Sequence, residues 1–278
     1  MKYIIKSNLN DPCRNLAAEE FLTANIAAGD EILFLWQNAP TVVIGKNQNS
    51  RAECDLEKMA ADGVLLSRRL SGGGAVFHDF GNLCFSFISH EEIHNVTRQL
   101  SLIAEACRAF GIDAKATGRN DVEADGRKFS GNAFYSVGAN KCHHGTVLIS
   151  ADKSRLANYL TVSKTKLEAK GIKSVRSRVV NLSELVPDLT VEAFLHALIS
   201  AFAPDAVLPM PDESLFAERA EFLASREWLL GEDPEFTDEV KYRTAEGEFT
   251  LQLTVKGEIV TYCKVYTDSL EPEAAERL

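Results

Sequence analysis

Arg68-Arg69-Leu70-Ser71-Gly72-Gly73-Gly74-Ala75-Val76-Phe77-His78-Asp79 decides how this chain is read. The apolar run Val64-Leu65-Leu66-Ser67 precedes it and Leu83 to Ile88 (LCFSFI) follows it, and both have the composition of strands. Two arginines therefore stand at a strand end and three glycines make the turn. Without Cβ atoms, such a turn lets a ligand lie against the backbone and lets successive N–H groups converge into an anion-binding nest. An adjacent arginine adds a permanent charge whose fork matches phosphate or carboxylate. The bland alternative is a flexible hairpin turn with solvated arginines. Two phosphate loops are excluded. No Lys-Ser or Lys-Thr follows the glycines, as GxxxxGK[ST] requires, and Phe77 stands where GxGxxG, counted from Gly72, needs its third glycine.

The chain has 278 residues, enough for one large domain or one domain with a small appendage. Its 30 Lys and Arg against 40 Asp and Glu leave a formal charge of −10, which speaks against a nucleic-acid-binding surface. No apolar run reaches the length of a membrane span, and Met1 to Ser7 lacks the apolar core of a signal peptide. The six cysteines are scattered without a CxxC pair. That is the pattern of reduced thiols, so a cytoplasmic protein with no membrane partner is expected.

Hydrophobic periodicity orders the rest. Tyr3 to Lys6 reads as an edge strand. Asp11-Pro12 opens a helix, Asp as N-cap and Pro at the first helical position, with Leu16, Ala17, Glu20, Phe21 and Ala24 recurring along it. Ile32 to Trp36 and Thr41 to Ile44 read as a hairpin across Asn38-Ala39-Pro40. Asp55 to Ala61 predicts a short helix, and Val96 to Phe110 a longer one stopped by Gly111. Asp121 to Glu123 and Arg127 to Phe134 pair across Ala124-Asp125-Gly126, and Cys142 to Ile149 returns across a second turn. Leu156 to Leu160, Val191 to Phe202 and Asp212 to Leu223 read as helices, and Pro-rich Asp205 to Pro211 as a boundary. Phe249 to Val255 and Glu258 to Tyr266 form a hairpin across Gly257. Together these predict an α+β fold, a mainly antiparallel or mixed sheet flanked by helices. The expected division is a large domain over 1–205, a helical linker over 206–235 and a small α/β accessory domain over 236–278.

Several groups carry possible chemistry. His90-Glu91-Glu92-Ile93-His94 matches HExxH but falls between a strand and a helix rather than on a helix, so no structural zinc is expected. Ser163-Lys164-Thr165-Lys166 matches SxxK without its companion motifs and is read as chance. Lys128 lies in a strand between Arg127 and Phe129; alternation would aim it into a site and Arg127 out of it. A lysine so placed can neutralise charge developing at a phosphoester. The alternative is a solvated lysine near a hairpin. His143 and His144 alternate likewise, one toward the site and one away. Asp121 can orient Lys128 or hold Mg²⁺ together with substrate phosphate. Lys164 to Arg178 is the one concentrated basic run, either a solvated loop or a flap over an anion.

RRLSGGGAVFHDFGN (Arg68 to Asn82), GRND (Gly118 to Asp121), GRKFSGNA (Gly126 to Ala133), HHGT (His143 to Thr146) and AKGIKSVRSRVVNL (Ala169 to Leu182) occur in this order. In this combination the chain resembles lipoate–protein ligases, of the biotin/lipoate ligase fold group, over Met1 to about Phe202. WLLGEDPEFT and VYTDSL extend the likeness more weakly. The resemblance implies ATP-dependent activation of lipoate to lipoyl-adenylate. Transfer to a lysine of lipoyl-domain acceptors follows, such as 2-oxo acid dehydrogenase acyltransferase subunits and the glycine cleavage H protein. It makes 1–205 the lipoate- and ATP-binding domain and Lys128 the catalytic residue. Arg69, Ser71, Gly72, Gly73, Gly74, Ala75, Val76, Phe77, Asn82, Asp121, Ser130 and His144 join Lys128 in holding the adenylate. Lys170, Arg176 and Arg178 belong to a covering loop. ATP with Mg²⁺ and lipoate are the small molecules implied, with no tightly bound prosthetic group. The family commonly carries a small C-terminal domain, so 236–278 reads as a partial one. Since the implied site residues all precede Asp205, a chain ending between Phe202 and Glu227 is expected to keep the binding site. A different class shares the fold group: ATP-independent octanoyltransferases with a cysteine nucleophile, for which Cys142, two residues before His144, is the candidate. A non-catalytic lipoyl-binding relative is the third alternative.

Overall fold

A computed structural model describes residues 1–117, 120–160, 179–231 and 235–277. Its centre is an eight-stranded mixed sheet. The strands are β1 (Lys2–Lys6), β2 (Glu31–Trp36), β6 (Asn82–His90), β7 (Ala114–Thr117), β8 (Asp121–Ala124), β9 (Arg127–Val137), β10 (Asn140–Leu148) and β11 (Ala206–Leu208). They lie in the order β11-β1-β2-β6-β10-β9-β8-β7. β1 runs parallel to both its neighbours and every other pair is antiparallel. β2 is buried throughout and β6 nearly so, because the sheet is covered on both faces. Leu33, Leu35, Leu83, Phe85 and Phe87 pack under helices α4 (Val96–Arg108) and α6 (Val191–Phe202). Phe34, Trp36, Cys84 and Ile88 pack under α1 (Pro12–Asn25) and α7 (Ala217–Ala224).

A second sheet, in the order β4-β3-β5, holds the glycine loop: β3 (Thr41–Ile44), β4 (Leu65–Arg68) and β5 (Val76–His78). Its core joins Val42, Ile44 and Phe77 to Cys54, to Met59 of α3 (Leu56–Ala61) and to Tyr159 of α5 (Lys153–Tyr159); α2 (Ser50–Glu53) runs just before α3. A third sheet is an antiparallel meander of β12 (Asp238–Arg243), β13 (Glu248–Lys256) and β14 (Ile259–Thr267). Beyond β14 the chain forms a strap over the glycine loop. Gly73 N donates to Ser269 O (2.7 Å), Thr267 N to Asn47 O (2.9 Å) and Asn47 Nδ2 to Pro272 O (2.7 Å).

Local signals explain most elements. Asp11 accepts from Arg14 N at 2.9 Å and caps α1, a contact worth about 1 kcal/mol. Asp125 (φ 52°) and Gly126 (φ 68°) are both left-handed, which makes the β8–β9 connection a type I′ turn matched to strand twist.

Four expectations need correction. β2 and β3 form no hairpin: β1 and β6 occupy both edges of β2, so Asn38-Ala39-Pro40 leads the chain out into the small sheet. β1 is not an edge strand, because β11 lies outside it. The prolines that suggested a boundary at 205–211, Pro209 and Pro211, directly follow this three-residue edge strand, where a missing N–H does no harm. On α1 it is Glu19 that is buried, while Glu20 turns outward to Arg219 (2.6 Å). Finally, the stretch expected to link domains is packed. Phe216, Ala220 and Leu223 share the α1 core, and α8 (Arg226–Leu230) clasps β4. In that clasp Trp228 Nε1 donates to Arg68 O (2.9 Å) while Arg68 Nε donates to Trp228 O (2.8 Å).

Ending the chain after Ala203 therefore uncovers one face of α1, at roughly 1.5–3 kcal/mol for each large side chain exposed. We expect such a chain to lose most of its stability, and one ending at Gly231 to retain a cooperative unfolding transition. Thermal melts of the two truncations check this; equal melting temperatures would contradict it.

Candidate active site

A cavity of about 190 Å³ lies on the α1 face of the main sheet, roofed by the small sheet and the glycine loop. Its floor follows one row of strand partners: Trp36 on β2, Cys84 on β6, Thr146 on β10 and Gly131 on β9, continued by Asp121 on β8. At about 4.8 Å between strands, the four steps span roughly 19 Å. One end is apolar, walled by Leu16, Trp36, Val43 and Cys84; the other carries Asn120, Lys128 and Asn132. The cavity thus offers an apolar end and a charged, polar end.

Lys128 reaches this floor through a break in register. β8 pairs Val122 with Ser130 but Glu123 with Lys128, so β9 carries one extra residue, a β-bulge. Phe129 lies in the core beneath α4 and Ser130 pairs with Val122 of that core, leaving Lys128 on the face of Gly131. In an unbroken strand Lys128 would share the face of Ser130. The lysine crosses over Gly131, where a Cβ would stand 3.0 Å from Nζ. It binds Asp121 Oδ1 at 2.6 Å, both side chains about one-third exposed. Arg127 points away, toward Asp125 and Glu184.

Neither arginine of the opening motif is a solvated side chain. Arg68 gives its guanidinium to the carbonyls of Gly45, Lys46, Gln48, Trp228 and Leu229 and to Ser50 Oγ, and so fixes the loop before the small sheet to α8. Arg69 binds the glycine loop itself: Ser71 Oγ, the carbonyls of Gly72 and Gly74, and Val43 O. Burial pulls both down to about 10. Gly72 must be glycine, since a Cβ there would meet Ser269 O at 2.3 Å and Leu270 C at 2.7 Å. Leu270 itself is a cavity wall, so the division that put every site residue before Asp205 is incomplete.

His144 joins three elements. Its Nδ1 lies 2.9 and 3.0 Å from the two oxygens of Glu19, and its Nε2 lies 2.7 Å from Ser71 Oγ. The carboxylate accepts from Nδ1–H, and Nε2 is bonded to the Ser71 hydroxyl. Ser86 and Tyr135 hydroxyls also donate to Glu19. His143 faces the other side, between Gln99 (2.8 Å) and Asn132 (2.9 Å). Asn132 and Asn120 in turn exchange amide-to-carbonyl bonds of 3.0 Å, which hold Asn120 on β9.

Of the residues expected here, Arg69, Gly73, Gly74, Ala75, Val76, Lys128 and His144 are walls of the cavity. Asp121 stands behind Lys128, Ser71 behind His144, and Gly72 lies beneath the strap. Three are directed elsewhere. Phe77 stacks on Tyr159 (5.9 Å), Asn82 holds Phe77 O (2.9 Å), and Ser130 turns to the opposite face. Lys170, Arg176, Arg178 and the SxxK match lie outside the described residues. In the HExxH match, His90 ends β6 and His94 sits in the turn before α4 beside Ser89 (2.9 Å). Sequence reasoning missed Glu19, Trp36, His78, Asn132 and Leu270. For Glu19 a signal existed: Asn15, Glu19 and Thr23 form a polar stripe at four-residue spacing on the buried face of α1.

Comparison with known proteins decides the family. The model of the lipoyl protein ligase A/B catalytic domain matches residues 11–203. The chain belongs to this lipoyl protein ligase family. It is similar to P. falciparum LipL1, solved in complex with lipoate: 31% identity, TM-score 0.86, covering 99% of this chain and 88% of that one. It is also similar to the bi-partite lipoate protein ligase of Thermoplasma acidophilum, described with its E2 lipoyl domain: 28% identity, TM-score 0.74, 85% of this chain and 98% of that one. A lipoate-protein ligase A solved with ATP matches at 25% identity and TM-score 0.71, over 83% of this chain and 98% of that one. For the lipoyl ligase fold, the fit of metal donors can be tested directly. Donor atoms of Glu19, Cys142 and His144 lie within 4.8 Å of one another, but protein hydrogen bonds already engage the carboxylate and both ring nitrogens. Asp121 is the carboxylate at the polar end, and one carboxylate plus phosphate oxygens suits Mg²⁺.

Burial pushes His78 and His143 down to about 3, while the unfolded chain titrates them near 6.5. The folded values are the lower ones, so stability is full above about 6.5 and is lost as pH falls toward 3. Each histidine removes roughly 2 kcal/mol between about pH 7.5 and about pH 5. Denaturant midpoints at the two pH values are expected to show a drop that shrinks by about that amount in His143→Gln.

Proposed function

We propose that this ligase activates lipoate with ATP and transfers the lipoyl group to a lysine of lipoyl-domain acceptors. These are the acyltransferase subunits of 2-oxo acid dehydrogenases and the glycine cleavage H protein. The observation that carries the reading is the bulge-directed Lys128, facing a cavity whose far end is apolar. In the first step a lipoate carboxylate oxygen attacks the α-phosphorus; the P–O bond to the β-phosphate breaks and pyrophosphate leaves. Two anions must meet, and Lys128 between them lowers their repulsion and stabilises charge gathering on the phosphate. Asp121 holds the ammonium in position, and Asn120 and Asn132, locked to each other, fix the wall beside it. A Mg²⁺ ion bound through Asp121 and phosphate oxygens would screen the same charge. In the second step the acceptor amine attacks the acyl carbon and AMP departs with the C–O electron pair; Lys128 again faces the departing phosphate.

Cys142 supports this class over a cysteine-based acyltransferase. It shares a face with His144 but is 1% exposed and is not a wall of the cavity that Lys128 faces. Burial, and then the neighbouring Glu19, pushes its thiol well above the ordinary range. A protonated, enclosed thiol is a poor nucleophile.

Lys128→Ala is expected to fold normally and to release pyrophosphate at least on the order of 10²-fold more slowly with lipoate and ATP. Near wild-type release would remove Lys128 from the mechanism. Cys142→Ser is expected to keep ATP-dependent lipoylation within a few-fold. A hydroxylamine-sensitive acyl adduct that forms without ATP and disappears in Cys142→Ser would establish the acyltransferase class instead.

A further inference from the structure

A clamp behind Lys128 runs through the main sheet. Asp121, which holds Lys128 Nζ at 2.6 Å, follows Asn120 directly in the chain. Three bonds hold Asn120 to β9. Its carbonyl accepts from Asn132 N (2.8 Å) and Asn132 Nδ2 (3.0 Å), and its Nδ2 donates to Asn132 O (3.0 Å). Both asparagines are walls of the cavity at its polar end. The remaining polar atom of the Asn132 side chain, Oδ1, lies 2.9 Å from Nε2 of His143. Space at that oxygen is closed, since a Cβ on Gly145 would stand 2.7 Å from it. His143 faces α4, away from the cavity, and neither it nor Gln99 of α4 has any exposure to solvent.

The proton on the His143 ring can be placed. A carbonyl only accepts, so Asn132 presents its NH2 to Asn120 O and its Oδ1 to the histidine. The imidazole packs against the rings of Phe85, Phe87 and Phe134, with centroids 5.8, 5.8 and 4.8 Å away. Burial, with His94 and His144 nearby, keeps it neutral. It therefore carries one N–H, and Asn132 Oδ1 requires it on Nε2. Nδ1 is then the acceptor, and the Gln99 amide 2.8 Å away turns its NH2 to the ring.

We infer that His143 is a positioning residue for the activation step: through Asn132 and Asn120 it fixes Asp121, and so the place of the Lys128 ammonium, from the far side of the sheet. The inference rests on the reading of Lys128 as the residue that serves this step. A contact of this kind sets where a charge stands and not what fills the apolar end, so it acts on rate rather than on lipoate binding. Loss of the Nε2–H is expected to slow activation about 10-fold, because Asn132 Oδ1 is then left buried without a donor.

The test uses the full chain, pyrophosphate release with lipoate and ATP, and two variants of equal polarity. A glutamine amide reaches the place of Nε2, an asparagine amide only that of Nδ1. His143→Gln is expected to keep kcat within about threefold of wild type. His143→Asn is expected to lose about 10-fold in kcat, with KM for lipoate within about twofold. Adding His143→Asn to Asn132→Ala is expected to slow release no further than Asn132→Ala alone, since the ring acts only through Asn132. In wild type, nitrogen NMR should show the His143 proton on Nε2 and a bare Nδ1. A proton on Nδ1, equal rates in His143→Gln and His143→Asn, losses that multiply in the double variant, or a loss confined to KM each overturn the inference. Wild-type release by Lys128→Ala overturns the reading of Lys128 and the inference with it. A slow Lys128→Ala beside a fast His143→Asn overturns the inference alone.

Discussion

A carboxylate with no exposure to solvent holds the active-site face together. Glu19 accepts from His144, Ser86 and Tyr135, and through the His144 ring it reaches Ser71 at the root of the glycine loop. Helix α1, three strands of the main sheet and the small sheet are tied by this one group. Taking an ion out of water costs several kcal/mol unless its lone pairs are filled. Here three donors fill them, and each comes from a different strand or from the ring beside it. The arrangement tolerates no sliding of α1 along the sheet, because a displaced helix would leave a buried charge without partners. The cavity, which lies between these same elements, inherits that rigidity.

The sequence carried the periodic elements well and the tertiary exceptions badly. Helices at Pro12–Asn25, Val96–Arg108 and Val191–Phe202 and the turn at Asp125-Gly126 follow from caps, spacing and turn chemistry, all local. The glycine loop, Lys128 and His144 were singled out from their residue types and order, and all border one cavity. What stayed hidden depends on which edges and faces are already taken. β3 leaves β2 because both edges of β2 are occupied, and Ala206–Leu208 becomes a strand only because β1 offers it an edge. Arg68 and Arg69 looked alike in sequence, yet one fixes the loop to a helix nearly 160 residues onward and the other shapes the glycine loop. Strict alternation does not run across the bulge: Ser130, named from the resemblance, lies on the face of Val122, and Lys128 lies on the other.

That bulge shows how little backbone change separates a site from a core. One extra residue in β9 moves Lys128 from the face of Ser130 to that of Gly131 and puts Phe129 beneath α4. Gly131 then leaves room for the lysine stem, and Asp121, its partner across the strands, meets the ammonium. Bulge, glycine and carboxylate act as a unit, and a substitution in any of them changes the position of the charge rather than its presence.

The strap has a consequence for the order in which the protein comes into being. Ribosomal synthesis delivers the N-terminal part first, and domains generally fold as they emerge. The main sheet, α1 and α7 are all complete by Leu230, whereas Leu270, a wall of the cavity, and Ser269, the acceptor for Gly73, arrive some forty residues later. A nascent chain therefore holds a folded body with an unfinished pocket, its three glycines still lacking the backbone they approach most closely. Completion of the cavity waits for Ser269 and Leu270 to emerge.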